Sequence, residues 1–167
     1  MSVVKILVSD TSVLIDLDRG ILVEATFRLP FEFTIPDLLY ERELREHGGP
    51  EFVRMGLRVE ELDGEGVARA LGYLRKRRAL SLPDSFALAL AKINAWTLLS
   101  GDRELRELAE EEEVRCHGVL WLLDQMLEHS AVDRDELRAA LGRIAAHPRC
   151  RLPKPEIRKR LLAYSVS

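Results

Sequence analysis

Four acidic positions stand where an α/β fold would bring them to one edge of its sheet. Asp10 follows the apolar run VVKILVS, Asp84 opens an alanine-rich helix after SLP, and Asp102 follows WTLLSG. The fourth is Glu43 or Glu41, in the helix predicted after FTIP. Open α/β sheets build their ligand sites at the carboxyl ends of parallel strands. Carboxylates gathered there repel one another unless a cation joins them, so the pattern predicts a divalent-metal site.

Strand and helix patterns alternate along the chain that carries these acids. The apolar, β-branched run VVKILVS is typical of a buried parallel strand, and further strands are predicted at FEFTI, LRVEEL, WTLL and VRCH. Helices are expected between them, and the one that follows FTIP is stopped by HGGP. The alternation predicts the α/β class with a central parallel sheet of about five strands.

The length of 167 residues fits one domain. We expect the α/β part to occupy residues 1–130 and residues 131–167 to form a helical extension of the same domain. The first apolar run is too short for a signal peptide or a membrane-spanning helix, so we expect a cytoplasmic protein with no membrane partner. The net charge of -3 gives no general attraction to nucleic acid.

A local basic run precedes Asp84. It ends six residues before that acid and consists of Arg75, Lys76, Arg77 and Arg78. These are candidate substrate-binding residues, because they could hold the phosphates of a polyanion. The alternative is a solvated helix end, since basic residues there complement the helix dipole. Both interpretations stay open.

Each acid also has a purely structural explanation. Aspartate is a preferred N-cap, and acids are favoured in the first turn of a helix. Asp10 and Asp102 could cap helices, and Asp84 forms a capping-box pattern with Ser81. Only the joint pattern of the four positions argues for a metal site.

Several segments, taken in their order, carry a resemblance to a known family. They are DTS after the first predicted strand, IPDLLYEREL after the second, and LSLPDSFALALAKINAWTLLSGDREL further on. Over roughly residues 3–128 this ordered set resembles a PIN domain of the VapC-like kind. The resemblance implies a three-layer α/β/α Rossmann-like sandwich around the parallel sheet, with C-terminal helices added, and an endoribonuclease that uses one or two Mg²⁺ or Mn²⁺ ions.

The resemblance also implies roles for individual residues. Asp10, Asp84 and Asp102 match the family's three aspartates, which makes them implied catalytic residues and metal ligands. The residues implied to support them are Ser12, Ser100, which stands where the family usually has Thr, and Glu104 as an additional outer acid.

The fourth acid is harder to match. The family's usual distance from Pro36 would place it at Arg42, between Glu41 and Glu43. Glu43 is preferred because it precedes Leu44, as the family's acid usually precedes an apolar residue. A shift of one residue in the start of the helix would favour Glu41, so both stay open.

Phosphodiester hydrolysis at neutral pH needs a strong nucleophile and relief of the charge that builds on the phosphate. Hard divalent ions with oxygen ligands supply both. The resemblance implies an RNA substrate, the toxin role in a toxin-antitoxin pair, a small antitoxin as partner, and a homodimer with candidate surfaces around residues 20–60. Two alternatives remain: a PIN-like module that binds RNA or protein without cleaving it, and a phosphate-linked switch such as a receiver domain. The switch is disfavoured because the chain start lacks the paired acids expected there.

Overall fold

Parallel strands form the centre of the computed structural model, which describes residues 3–8 and 10–165. Ser9, the last residue of the run VVKILVS, lies outside the described residues. The strands are β1 (Val4–Val8), β2 (Phe31–Pro36), β3 (Arg58–Glu60), β4 (Thr97–Leu99) and β5 (Cys116–His117). They pair in the order β3-β2-β1-β4-β5, and every pairing is parallel. The predicted α/β class with a central parallel sheet of five strands is confirmed.

Helices connect the strands and follow the last of them. A short helix after β2, α3 (Asp37–Leu39), continues directly into a π-helix over Tyr40–Leu44. In the described ranges the α-helices are α1 (Thr11–Arg19), α2 (Val23–Arg28), α3 (Asp37–Leu39), α4 (Gly49–Met55), α5 (Gly64–Lys76), α6 (Leu82–Asn94), α7 (Arg103–Glu111), α8 (Val119–Glu128), α9 (Arg134–Ala146) and α10 (Lys154–Ser165).

The sequence pattern predicts no helix where α4 lies, because HGGP is typical of a helix stop. The structure uses the two glycines both to end one helix and to begin the next. Gly48 adopts the left-handed conformation with a φ of 85°, which favours glycine. A Cβ atom on Gly49 would lie 2.8 Å from the carbonyl oxygen of Leu44. Both positions therefore require glycine.

The chain divides into two compact units. The first comprises residues 1–13 and 30–118 and contains the sheet with α3 to α7. The second comprises residues 14–29 and 119–167 and contains α2 with α8 to α10, while α1 begins in the first unit and continues in the second. The predicted boundary at residue 130 stays a prediction.

The alanine-rich helix α6 is the buried centre of the first unit. It contacts β1, β2 and β4 and packs against α5. Ala87, Ala89 and Ala91 are fully buried. Small side chains favour a helix and allow it to approach its neighbours closely, as α6 does here.

Apolar side chains of the second unit are fully buried. Leu122 and Met126 on α8 are fully buried, as are Leu137 and Leu141 on α9. The helices α8 and α9 contact one another, and α9 contacts α10. None of the helices in residues 3–8 and 10–165 is long and apolar enough to cross a membrane.

Candidate functional site

The acids lie around the point where the strand order reverses. From β1 the chain moves outward through β2 to β3, and then returns to place β4 on the other side of β1. Asp10 follows β1, and Asp102 follows β4. Ligands of open α/β sheets bind outside the carboxyl ends of the strands at such a switch point. The topology therefore places these two acids at the expected location of a site.

Asp10 stands at the turn between β1 and α1. Its Oδ1 atom accepts a hydrogen bond from the Ser12 backbone N–H at 2.9 Å, and its carbonyl oxygen accepts one from Val13 N–H at 3.2 Å. These bonds fix the carboxylate beside the helix start. Asp10 is half-buried, whereas Ser12 is exposed.

Asp84 lies in the first turn of α6, where Ser81 is the N-cap. The Ser81 hydroxyl oxygen accepts a hydrogen bond from the Asp84 backbone N–H at 3.2 Å. Pro83 occupies the first turn, where its missing N–H costs no helical hydrogen bond. Asp84 itself is half-buried. The capping pattern seen in the sequence is present, and it fixes the backbone of Asp84 at the start of the buried helix α6.

Asp102 is the N-cap of α7. Its Oδ1 atom accepts a hydrogen bond from Leu105 N–H at 2.9 Å, while its own N–H donates to the Ser100 hydroxyl oxygen at 3.0 Å. Ser100 is fully buried, and its N–H donates to the carbonyl oxygen of His117 at 2.9 Å. Ser100 thus links the end of the sheet to the start of α7 and orients Asp102.

The π-helix bears on the choice between Glu43 and Glu41. The N–H of Arg45 donates to the carbonyl oxygen of Tyr40 at 2.8 Å, a bond across five residues instead of four. The match of Glu43 or Glu41 to the family's acid stays a prediction. A π-turn holds one residue more than an α-turn, so it changes the directions in which Glu41 and Glu43 point. Nothing in YEREL indicates it, because these residue types also suit an α-helix.

Glu41 and Glu43 differ in their surroundings. The Oε2 atom of Glu41 forms an exposed ion pair with Arg45 at 2.7 Å. Glu43 is also exposed, but its charge acts on Asp84. Of the two glutamates, Glu43 is therefore the one that joins the aspartates electrostatically.

The electrostatics of Asp84 connect the four acids. The pKa of Asp84 is raised to about 6, and burial is the largest cause. A hydrogen bond between its carboxyl group and the Ser81 side chain lowers the pKa, whereas the negative charges of Asp102, Asp10 and Glu43, in that order, contribute to the rise. The structure thus brings Asp10, Glu43 and Asp102 near enough to Asp84 for each of their charges to act on it. We call Asp10, Glu43, Asp84 and Asp102 the acidic cluster.

The donor types of the acidic cluster suit a hard divalent cation, which prefers carboxylate oxygens. The repulsion that raises the pKa of Asp84 is the kind that a cation would relieve. As the side chains stand, no three His, Cys, Asp or Glu residues of the described chain are close enough together to hold a metal ion. The donor types of the acidic cluster therefore fit a divalent metal.

Glu104, the implied outer acid, faces a cation from the basic run. Arg77 Nη1 lies 3.2 Å from Glu104 Oε2 and 3.6 Å from Glu107 Oε2, and Arg77 also pairs with Glu111. One face of α7 thus binds the end of α5 through charge pairs. Glu104 is engaged in this contact, and Arg77 has its charge neutralised by three acids.

The other members of the basic run differ in whether they form ion pairs. Lys76 pairs with Glu111 at 3.3 Å, whereas Arg75 and Arg78 are exposed and form no ion pair with an acid that the structure describes. The predicted substrate-binding role of the run stays a prediction. If the run binds phosphates, Arg75 and Arg78 are the members with charges available.

Comparisons with known proteins agree with this architecture. A family model described as DUF3368, PIN domain, matches residues 6–165. No curated protein matches the chain. Among solved structures, the chain is similar to a PilT N-terminus domain protein from the hyperthermophilic archaeon Sulfolobus solfataricus P2. That match has 16% sequence identity and a TM-score of 0.53, and it covers 75% of this chain and 94% of the other, so it shows a shared fold.

Proposed function

Because the chain belongs to the PIN-domain family, a family with a nuclease-type fold, we propose that it is a divalent-metal-dependent endoribonuclease. The observation that supports this most is that the charges of Asp102, Asp10 and Glu43 all raise the pKa of Asp84. Carboxylates that only cap helices have no reason to be close to one another. Their proximity at the switch point of the sheet is costly without a cation, which favours a binding function.

The acidic cluster would hold one or two Mg²⁺ or Mn²⁺ ions. The ion, when bound, supplies the Lewis acidity that phosphodiester hydrolysis needs at neutral pH. Asp10 and Asp102 would present carboxylates whose orientation is already fixed by hydrogen bonds to backbone N–H groups. Ser100, fully buried, keeps Asp102 in place. Such preorganisation lowers the cost of gathering ligands when the ion binds.

The RNA strand has to approach an acidic site, and nearby cations would offset the repulsion. Arg75 and Arg78, at the end of α5, have charges available for backbone phosphates. Arg77 is held by the acids of α7 and would instead support the position of that helix. RNA is proposed as the substrate from the family resemblance, since no described contact distinguishes a ribose from a deoxyribose.

The second candidate function is binding of RNA without cleavage. Two observations favour it: Asp102 caps a helix, and the acids as they stand do not form a ready ligand set. In that case the acids would be structural, and Arg75 and Arg78 would still bind phosphates. Cleavage in the presence of Mn²⁺ separates the two functions.

The test replaces each aspartate of the acidic cluster by asparagine, in separate full-length proteins, and measures cleavage of single-stranded RNA with Mn²⁺. Asparagine is as good an N-cap as aspartate, so the helix starts are retained while the charge is lost. We expect Asp10→Asn, Asp84→Asn and Asp102→Asn each to reduce the cleavage rate by about 100-fold or more.

Asp133→Asn is the matched control. Asp133 caps α9 as Asp102 caps α7, and it accepts the same kind of backbone hydrogen bond, from Glu136 N–H at 2.8 Å. This variant should cleave at the unmodified rate. Folded variants of Asp10, Asp84 and Asp102 that cleave as fast as the unmodified chain would overturn the enzyme proposal.

The narrower proposal is that the enzyme is the toxin of a toxin-antitoxin pair and forms a homodimer. Val53 and Val59 are exposed apolar residues of the first unit within the range expected for partner surfaces. A short DNA-binding protein encoded by the adjacent reading frame would support the toxin role. Co-expression with that protein should suppress the Mn²⁺-dependent cleavage, and cleavage unchanged by it would count against the pair.

A further inference from the structure

An open groove begins next to the acidic cluster and runs along α7 and β5. Its volume is about 560 Å³, which is within the range of small-ligand pockets. Gly101 belongs to its wall and directly precedes Asp102 in the chain, so the groove starts after the end of β4, beside this member of the acidic cluster. Its lining residues are Gly101, Arg103, Arg106, Glu107, Glu110, Val114 and Cys116.

Arg106 is the cation that the groove has available. Arg103, the other arginine of the wall, is paired with Glu107 at 3.0 Å. Arg106 is exposed and forms no ion pair with an acid in residues 3–8 or 10–165. Its charge nevertheless acts on β5. Burial raises the pKa of Cys116 and lowers that of His117, and the Arg106 charge lowers both.

Glu110 supplies an acceptor one helical turn beyond Arg106. It is exposed, and its side chain has no ion pair or hydrogen bond with a described residue. Opposite charges four residues apart on a helix commonly pair, yet Arg106 and Glu110 do not. The groove thus contains one unpaired cation and one unpaired hydrogen-bond acceptor.

The remaining wall is uncharged. Val114 is an apolar, buried side chain. Burial raises the pKa of Cys116 to about 11, so its thiol is neutral at physiological pH and does not repel a phosphate. A planar base can therefore contact Val114 and Cys116 while its phosphate lies toward Arg106.

We propose that this groove holds one nucleotide of single-stranded RNA beside the acidic cluster, with Arg106 contacting a phosphate and Glu110 accepting a hydrogen bond from the base. The choice of RNA rests on the proposed function. A carboxylate accepts from the exocyclic amine of cytosine or adenine, whereas the corresponding position of uracil is an acceptor. The groove therefore favours cytosine and adenine over uracil.

The test measures binding of short fluorescent oligo(rC), oligo(rA) and oligo(rU) by full-length protein carrying Asp84→Asn, so that no strand is cut. Adding Arg106→Gln should weaken binding of all three strands about fivefold and reduce the slope of log K against log salt by about 1. Arg138→Gln, an exposed arginine on α9, is the matched control and should change neither quantity. Glu110→Gln should remove the preference for oligo(rC) over oligo(rU), and Glu24→Gln should leave it intact.

Equal affinity and salt slope in the Arg106 and Arg138 variants would overturn the phosphate contact. Absence of a preference for oligo(rC) in the protein with Glu110 would overturn the base contact, and equally tight binding of the matching DNA would overturn the choice of RNA. No binding of any strand would overturn the whole proposal. If the RNA binds as expected but the unmodified protein never cleaves it, the enzyme proposal fails and the groove proposal stands. If the unmodified protein cleaves RNA but Arg106→Gln leaves binding unchanged, the groove proposal fails and the enzyme proposal stands.

Discussion

Asp84 in the first unit and Asp124 in the second are both half-buried aspartates, but their electrostatic surroundings are opposite. Asp124 accepts a hydrogen bond from Arg160 Nη2 at 2.8 Å and another from the Tyr164 hydroxyl at 2.8 Å. Asp84 has the negative charges of Asp102 and its other acidic neighbours acting on it. A carboxylate retained for stability has its charge compensated. The uncompensated one is the better candidate for chemistry.

The compensated aspartate has an evident structural use. Arg160 and Tyr164 both belong to α10, so their bonds to Asp124 hold α10 to α8. Tyr164 is buried, and burial together with the hydrogen bond to Asp124 raises its pKa, which keeps the hydroxyl protonated as a donor. Among the residues that the structure describes, no cation neutralises Asp84 in this way. We therefore expect the cluster around Asp84 to lower the stability of the folded protein and the group around Asp124 to increase it.

The sharpest test of this contrast concerns the two glutamates of the π-helix. Glu43→Gln removes a charge that acts on Asp84, whereas Glu41→Gln removes one that only pairs with Arg45 at the surface. We expect Glu43→Gln to lower Mn²⁺-dependent RNA cleavage about 100-fold, a loss of about 2.7 kcal/mol in transition-state stabilisation. Glu41→Gln should stay within about twofold, as expected for an exposed ion pair.

The two glutamates are matched in residue type, helix and exposure, so each variant controls for the other. Equal losses would mean that the π-helix does not select between them. A loss confined to Glu41→Gln would place the fourth ligand at Glu41, two residues before Glu43. Measurement of both the rate and the Mn²⁺ concentration dependence would separate a lost ligand from a misfolded helix.

The next effect in size is expected at Asp124. Asp124→Ala leaves the guanidinium of Arg160 and the buried hydroxyl of Tyr164 without their shared acceptor. We expect the free energy of unfolding to fall by about 2 kcal/mol, since the pair is only partly buried. Chemical denaturation monitored by circular dichroism measures this. Cleavage at a temperature where the variant is folded should be unchanged, and a stability equal to that of the unmodified chain would refute the structural role.

The sequence predicted features that depend on local patterns or on strand order. The strands and the acids at their carboxyl ends follow from apolar runs and the residues after them, as for β1 and Asp10. The helix α4 was missed because Gly48 and Gly49 end one helix and begin another, and local signals do not distinguish those uses. The π-helix was missed because the residue types of YEREL also suit an α-helix. The pairing of Arg77 with α7 joins residues far apart in sequence, so a charge run alone could not show it.

The smallest predicted effect is a change in the free energy of unfolding when Asp84 is replaced by asparagine. In the unfolded chain Asp84 has its ordinary pKa of 3.8, and in the folded protein its pKa is about 6. The folded state therefore binds the proton more tightly, so raising the pH through this window lowers the free energy of unfolding. Asp84→Asn removes the penalty. At pH 7 we expect the variant to be about 1 kcal/mol more stable than the unmodified chain, after allowance for solvent screening.

The difference should shrink as the pH falls from 6 toward 4, because Asp84 then becomes protonated in the folded protein. At pH 7, saturating Mn²⁺ should raise the midpoint of thermal unfolding of the unmodified chain and leave that of Asp84→Asn nearly unchanged, since a ligand of the folded state stabilises only the protein that binds it. Asp124→Asn, which keeps the acidic cluster intact, should respond to Mn²⁺ like the unmodified chain. If Asp84→Asn is less stable at pH 7 and still gains from Mn²⁺, then Asp84 serves the fold as Asp124 does, and the distinction between the two aspartates fails.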